Sequence, residues 1–149
     1  MHMENDREII IYTDGACLGN PGAGGWGAII IINKREEIIS GGSKETTNNR
    51  MEMFAVIEAL KKASNEAVIN LYTDSKYVIN GISNWINNWK NNEWRTSNNK
   101  PVKNYELWKK IDFYNTNLNI NWHWVKGHSG NEYNDKVDKI AQIEALKFK

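Results

Sequence analysis

The sequence predicts an α/β domain in which helices cover both faces of a mixed sheet, with elements in the order βββαβααβα. Two observations predict this class. Three strand-like segments follow one another near the amino terminus through short connections, which makes them an antiparallel meander. Two further strands are separated by helical segments, an order that places helices against a sheet. The chain has 149 residues, close to one domain of ~100–200 residues, and we expect a single domain over residues 1–149.

The first three strands are indicated by apolar runs and turn signals. The first run ends in the turn pair Asp14-Gly15, and a glycine-rich stretch leads into the second run. A polar turn separates the second run from the third. The predicted strands are Glu8–Tyr12, Trp26–Ile32 and Glu37–Ser43.

Helical segments and strands alternate in the rest of the chain. The predicted helices are Thr47–Ala63, one or two short helices in Ser75–Trp89, Tyr105–Tyr114 and Glu132–Phe148. A mostly apolar run and a segment of alternating polarity predict strands at Ala67–Thr73 and Leu118–Val125. The intervening stretch Asn91–Val102 is polar and interleaved with tryptophan.

Composition excludes several classes of protein. The chain is 40% hydrophobic and 25% charged, which excludes disordered and collagen-like chains. Its apolar runs are far shorter than the ~20 residues of a membrane-spanning helix, and its amino terminus is polar, unlike a secretory signal. Cys17 is the single cysteine, so no internal disulfide forms, which fits a reducing compartment. We therefore expect a cytoplasmic location. The net charge of +1 indicates that any polyanion is held by a local patch or by metal.

Four carboxylates occupy positions that suggest shared chemistry. Asp14 and Asp74 each follow a Tyr-Thr pair at the end of an apolar run, and ligands bind at the carboxyl edge of α/β sheets. Glu52 lies in the first turns of the helix after the meander, and Asp138 lies within the last helix. We expect the four side chains to converge at one edge of the sheet.

Each carboxylate also has a structural interpretation. Asp14 could belong to an Asp-Gly turn, and Asp74 could cap the next helix. Glu52 stands three residues after Asn49, close to the spacing of a capping box. Asp138 could belong to a solvated helix face. These alternatives stay open for each residue taken singly.

A line of small residues favours an inward position for Asp138. Asn134, Ala141 and Ala145 share its helical face, which could therefore pack closely on the sheet. Converging carboxylates repel one another unless a cation compensates them, and oxygen ligands favour Mg²⁺ or Mn²⁺ over zinc. Two such ions about 3.5–4 Å apart activate water and stabilise the leaving oxygen in phosphodiester cleavage.

The three histidines do not indicate a zinc site. His2 is near the terminus, and His123 falls on the polar side of an alternating strand. His128 lies in a glycine-flanked loop, where a mobile imidazole could shuttle a proton or help product leave. A loop residue without a catalytic role is the alternative.

Four motifs resemble those of bacterial type 1 ribonuclease H: Thr13–Gly22, Thr46–Glu52, Tyr72–Val78 and Trp124–Gly130. The resemblance covers nearly the whole chain, in the family's order. It implies the ribonuclease H-like fold, a five-stranded mixed sheet with the second strand antiparallel, flanked by helices on both faces. It also implies Mg²⁺-dependent endonucleolytic cleavage of the RNA strand in RNA/DNA hybrids, leaving 5′-phosphate and 3′-hydroxyl ends.

The resemblance assigns roles to individual residues. It implies that Asp14, Glu52, Asp74 and Asp138 bind two Mg²⁺ ions, with Asp14 bridging them and Mn²⁺ as a possible substitute. It makes His128 an auxiliary catalytic residue on a flexible loop.

The resemblance also implies a set of substrate contacts: Asn20, Asn48 and Asn49 in the minor groove, Thr47 at a phosphate of the DNA strand, Trp85 beside that strand, and Asn134 near the active site. A wide minor groove lined by 2′-hydroxyls lets an enzyme distinguish RNA from DNA, while base edges there discriminate sequence poorly. The expected partner is an RNA/DNA hybrid duplex. We expect no membrane, no obligate protein partner and a monomer.

The sequence departs from the family pattern in two places. The family's basic, substrate-binding protrusion corresponds to about residues 81–103, where Lys90, Arg95, Lys100 and Lys103 stand against Glu93 among several asparagines. We expect a weakly basic protrusion to bind the hybrid less tightly. The second departure is Lys76, which stands where relatives often have glutamine, beside the predicted metal ligands.

Two other functions are consistent with parts of the pattern. One is a binding module that clamps a hybrid or a single strand but cuts poorly, which the presence of all four carboxylates and His128 disfavours. The other is a related nuclease such as a junction resolvase or transposase-like enzyme, which the motifs at Thr46–Glu52 and Gly127–Gly130 disfavour. We expect no separate N-terminal hybrid-binding domain, because the first strand begins so near the amino terminus.

Overall fold

The computed structural model describes residues 8–63, 67–127 and 130–149. Its strands are β1 (Glu8–Cys17), β2 (Gly22–Ile32), β3 (Arg35–Thr46), β4 (Val68–Thr73) and β5 (Asn119–Trp124). Its helices are α1 (Asn48–Leu60), α2 (Lys76–Asn80), α3 (Ile86–Asn91), α4 (Tyr105–Asn117) and α5 (Glu132–Lys147), and a π-helical turn (Gly81–Trp85) joins α2 to α3. In this part of the chain, none of the helices has the length and apolar character needed to cross a bilayer.

The five strands form one mixed sheet in the order β3-β2-β1-β4-β5. β2 is antiparallel to β1 and β3, whereas β4 is parallel to β1 and β5 is parallel to β4. A two-residue turn at Asn33 and Lys34, both with positive φ, closes the β2–β3 hairpin, as right-handed strand twist requires. The predicted sheet, with its antiparallel second strand, is confirmed.

β1 is longer than the sequence predicts. The Asp14-Gly15 pair does not form a turn, because β1 continues to Cys17 and pairs with β2 as far as Gly24. Pairing of β1 with β4 stops at Thr13 and Thr73. Beyond Thr13, β1 is therefore hydrogen-bonded to β2 but no longer to β4. Asp14 is the first residue of this singly paired part of the strand.

The main core lies between the sheet and helices α1 to α4. Alternate residues of the central strands, such as Ile11 and Leu71, pack there against Met53, Trp108 and other apolar side chains. α5 covers the opposite face, over β2 and β1, and buries Val137, Ala141 and Ala145. Helices therefore flank both faces of the sheet, as predicted.

α5 lies very close to the sheet because β2 presents glycine there. A Cβ atom at Gly25 would meet the backbone of Ala141 and Ala145, and one at Gly27 would meet the Ile140 side chain at 2.6 Å. No side chain fits between strand and helix at these points. The predicted small-residue face of α5 thus lies on glycines of β2.

We expect Gly25→Ala to destabilise the protein by about 1–3 kcal/mol, because the added methyl group has to displace the backbone of α5. Urea denaturation followed by circular dichroism measures the change. Gly22→Ala is the matched control, since the nearest atoms to its Cβ belong to Gly19 at 3.2 Å in an exposed loop. Equal losses in the two variants would contradict the close packing of α5.

Candidate active site

Three carboxylates from three elements meet at the carboxyl edge of the sheet. Asp14 lies on β1, Glu52 on α1, and Asp74 directly after β4. One oxygen from each of them lies within 4.8 Å of the others. The sequence predicts that these three side chains converge, and the structure confirms that they do.

The parallel register of β1 and β4 explains the pairing of the two aspartates. Thr13 lies opposite Thr73, so Asp14 and Asp74, the residues that follow them, lie side by side where β1 and β4 stop pairing. Asp74 does not cap α2, because Ser75 is the N-cap and its hydroxyl accepts from the backbone N–H of Val78 at 3.1 Å. The Asp74 carboxylate lies in the cluster.

Glu52 reaches the cluster because α1 lies directly on Gly15. A Cβ atom at Gly15 would collide with the backbone of Met51 and Glu52. The N-cap of α1 is Thr47, whose hydroxyl accepts from the N–H of Arg50 at 3.2 Å. The capping-box interpretation of Asn49 and Glu52 is therefore wrong, and the Glu52 carboxyl turns towards Asp14.

Asp138 approaches the same cluster from the other face of the sheet. It is half-buried on α5, and its carboxyl lies close enough to Asp14 to raise the pKa of that residue. Its Oδ2 accepts a hydrogen bond from Gln142 Nε2 at 3.0 Å. Asp138 is not part of the three-residue group within 4.8 Å, so it stands at the margin of the site.

Burial and mutual repulsion disfavour the charged forms of these groups. Asp14 is 2% exposed, and burial, with the charge of Asp74 next, raises its pKa to about 8. Burial, followed by the charges of Asp14 and Asp74, raises the pKa of Glu52 well above its ordinary value. Positive charge added nearby would lower the pKa of both groups and favour their charged forms.

The donor set fits a hard divalent cation. All of the candidate ligands are carboxylate oxygens, the ligand type that Mg²⁺ and Mn²⁺ prefer. Oε1 of Glu52 is buried and has no hydrogen-bond partner among the residues that the structure describes. A buried oxygen of this kind is costly unless something binds it, and a cation at the cluster would do so.

The predicted minor-groove and phosphate residues lie together at the start of α1. Asn20 Oδ1 accepts from the N–H of Asn48 at 3.0 Å, which ties the β1–β2 loop to the helix. Thr47 caps that helix, and the side chains of Asn20, Asn48 and Asn49 are exposed. Together they form a polar rim on the Glu52 side of the carboxylates.

The other predicted site residues lie apart from this rim. Asn134 is buried, 2% exposed, on the first turns of α5. Trp85 packs its ring against Tyr77 and Trp89, with both centroids 5.8 Å away, and remains half-buried. His128 lies outside the described residues. Its neighbour Gly127 packs on Asp74, where a Cβ atom would be 2.9 Å from Oδ2.

The sequence placed Lys76 beside the predicted metal ligands but gave no sign of a second neighbour of Asp74, which is Trp124. Trp124 is 43% exposed, and its indole N–H donates to the carbonyl oxygen of Asp74 at 3.1 Å. The ammonium group of Lys76 lies 5.1 Å from the centre of the Trp124 ring. The pairing of β4 with β5, Thr73 opposite Trp124, brings them there, and neither segment signals it alone.

The chain is similar to known proteins over nearly its whole length. Residues 6–145 match the model of the RNase H family. The chain is 55% identical over 136 residues to "Ribonuclease H" of Wolbachia pipientis wMel, covering 91% of this chain and 94% of that protein. It is 52% identical over 141 residues to "Ribonuclease H" of Ehrlichia ruminantium (strain Gardel), covering 95% and 97%.

Solved structures show the same fold. LC9-RNase H1, described as a type 1 RNase H with the type 2 active-site motif, superposes with a TM-score of 0.84 at 27% identity, covering 96% of this chain and 74% of that one. LC11-RNase H1 in complex with an RNA/DNA hybrid has a TM-score of 0.70 at 24% identity, covering 93% and 97%.

We expect the protein in EDTA to lose thermal stability as the pH rises from about 4 to about 8. The unfolded chain releases the Asp14 proton near pH 3.8, whereas the folded chain holds it to about pH 8. Proton release in that window therefore favours unfolding, and the stability present at low pH is lost.

Melting temperatures measured between pH 4.5 and 8.5 test this expectation, with Asp14→Asn as the variant that cannot titrate. The variant should melt higher than the natural protein at pH 8.5, and the difference should shrink towards pH 4.5. Parallel pH profiles for the two proteins would contradict the raised pKa of Asp14.

Proposed function

The chain belongs to the RNase H family, and from that premise we propose that it is an endoribonuclease that cleaves the RNA strand of RNA/DNA hybrids. The observation that carries the proposal is the group of three carboxylates within 4.8 Å, with Asp138 beside Asp14. Its relatives carry the name ribonuclease H over nearly their whole length. The products are a 5′-phosphate and a 3′-hydroxyl, formed when water adds to phosphorus and the bond to the 3′ oxygen breaks.

Asp14, Glu52, Asp74 and Asp138 hold two Mg²⁺ ions in this proposal. Ions bound there supply a water of lowered pKa and compensate charge on the leaving oxygen. The residues contribute the charges that hold the ions, and their rigid backbones fix where the scissile phosphate sits. Asp14 would be the central ligand, because its carboxyl neighbours the other three.

The rim at the start of α1 selects the hybrid. An A-like duplex presents 2′-hydroxyls in a wide minor groove, and the exposed amides of Asn20, Asn48 and Asn49 can donate to and accept from such groups. Thr47 lies at the helix N-terminus, where the N–H groups and helix dipole favour a phosphate. In this proposal the three asparagines contact the RNA strand, whereas Thr47 and Trp85 contact the DNA strand.

His128 follows Gly127, which lies against Asp74. In this proposal the imidazole of His128 moves a proton near the leaving group or helps product leave. Asn134 is buried and lies one helical turn before Asp138. In the proposed site it supports the first turns of α5. Both roles are tested by the pH dependence of turnover in His128→Ala and Asn134→Ala.

A cleavage panel tests the proposed activity. End-labelled RNA is offered alone, in an RNA/RNA duplex and in an RNA/DNA hybrid, with labelled DNA duplex alongside, each in Mg²⁺ or in EDTA. We expect only the RNA of the hybrid to be cut, and only with metal. Binding of the hybrid without cleavage in Mg²⁺ or Mn²⁺ would identify a binding module instead, and cutting of branched DNA would identify a resolvase-like enzyme.

Asp14→Asn should abolish cleavage and leave hybrid binding largely intact, because it removes the charge shared by the metal ligands but no substrate contact. Turnover and a filter-binding isotherm measure the two properties. Glu37→Gln is the control, since Glu37 is exposed on edge strand β3, outside the carboxylate group, and pairs with Lys62 at 2.8 Å. Normal cleavage by Asp14→Asn would overturn the metal assignment.

The weakly basic protrusion should give the hybrid complex a shallow salt dependence. Lys90, one of its few cations, is already paired with Asp112 at 3.3 Å. Each phosphate contact adds up to about 0.9 to the slope of log affinity against log salt for B-form DNA. Asn87→Lys with Asn91→Lys, both exposed positions, should steepen the slope towards that of a strongly basic relative. A slope in the natural protein as steep as that relative's would contradict the interpretation.

A further inference from the structure

Four rings form a continuous stack across the sheet on the side of α5. Tyr133 stacks on Tyr12 with centroids 5.0 Å apart, Tyr12 on Tyr72 at 4.9 Å, and Tyr72 on His123 at 4.5 Å. The interplanar angles are 21°, 16° and 16°. The strand register produces the row, because Tyr12 lies opposite Tyr72, and Tyr72 opposite His123.

The rings at both ends of the stack also make hydrogen bonds. His123 Nε2 lies 2.9 Å from Asn70 Oδ1. The hydroxyl of Tyr133 donates to Glu36 at 2.9 Å, and Lys136 pairs with the same carboxylate at 3.3 Å. The stack therefore runs from edge strand β5 to α5, with a polar partner at each end.

The stack extends the docking of α5 beyond the strands that the helix covers. α5 lies over β2, β1 and β3, and glycines of β2 hold its middle and its C-terminal half. Its first turn is held by Tyr133 on the ring row and by the N-cap Asn131, whose side chain lies close to the Tyr12 hydroxyl. The contacts with Tyr12 and, through it, Tyr72 set the position of this turn relative to β1 and β4.

Those two strands are the ones that carry the aspartates of the candidate site. Tyr12 lies two residues before Asp14, and Tyr72 lies two residues before Asp74. Asp138 lies five residues after Tyr133, about 7.5 Å along the helix. A tilt or rotation of the first turn of α5 would therefore move the Asp138 carboxyl relative to Asp14 and Asp74.

We propose that Tyr133 is a positioning residue, which sets Asp138 against Asp14 and Asp74 by stacking on Tyr12 and Tyr72. The inference rests on the proposed function, since it gives Asp138 a part in holding the metal. The ring is the active element, and the hydroxyl is dispensable. Removal of the ring should therefore weaken metal binding while leaving the substrate-binding rim on α1 unchanged.

The test compares Tyr133→Ala with Tyr133→Phe and Glu36→Gln. We expect Tyr133→Ala to raise the Mg²⁺ concentration at half-maximal cleavage on the order of tenfold, the size of effect seen when a support of a metal ligand is removed. The KM for the hybrid, measured at saturating Mg²⁺, should stay the same. Tyr133→Phe and Glu36→Gln should behave as the natural protein does.

A second readout does not depend on cleavage. Mg²⁺ should raise the melting temperature of the natural protein at pH 8, and the rise should be smaller in Tyr133→Ala than in Tyr133→Phe. If the alanine variant does not fold, Tyr133→Leu, which keeps an apolar contact on Tyr12, replaces it in the comparison with Tyr133→Phe. Absence of hybrid cleavage by the natural protein would end the proposed function but leave this thermal comparison intact.

Three results would overturn the positioning role. One is an unchanged Mg²⁺ requirement and an unchanged thermal response in Tyr133→Ala. Another is a Tyr133→Phe variant that behaves like Tyr133→Ala, which would assign the effect to the hydroxyl bond with Glu36. The third is a loss confined to the stability of the protein in EDTA, which would make the stack a purely structural feature.

Discussion

The structure depends on holding like charges together against their repulsion. Asp14, Glu52 and Asp74 have oxygens within 4.8 Å, and in such a site each ionised carboxylate disfavours the ionisation of the others. The three carboxyl groups stay close together only because the backbone segments that carry them are held in place. Parallel pairing fixes the two aspartates, and the contact of α1 with Gly15, which leaves no room for a Cβ atom, fixes Glu52. The rest of the fold supports these two constraints.

The sequence predicted the convergence of Asp14 and Asp74 because it rests on a local rule. Each aspartate follows an identical Tyr-Thr pair, and strands in parallel register present equivalent residues at the same edge. The extent of β1 was mispredicted, since an Asp-Gly pair indicates a turn unless a neighbouring strand binds it. That neighbour is β2, whose Gly27 pairs with Asp14, and glycines lower the strand propensity of any segment that contains them.

Other features depend on contacts between distant segments, which no local pattern contains. The start of α1 is tied to the β1–β2 loop, because Asn20 accepts a hydrogen bond from the N–H of Asn48. The ring stack needs the registers of three strands and the docking of α5 at once. Trp85 carries a predicted substrate role, yet its ring also packs on Tyr77 and Trp89.

The unequal lengths of β1 and β4 give the sheet a stepped edge. β1 and β2 project past the end of β4, and the carboxylates lie in the inner corner of the step, with the asparagine rim on its raised side. In the proposed function, contact with a duplex and placement of the reacting phosphate belong to different parts of the backbone. Under that proposal, substitutions on the raised side would alter the choice of duplex while the corner that holds the carboxylates keeps its shape.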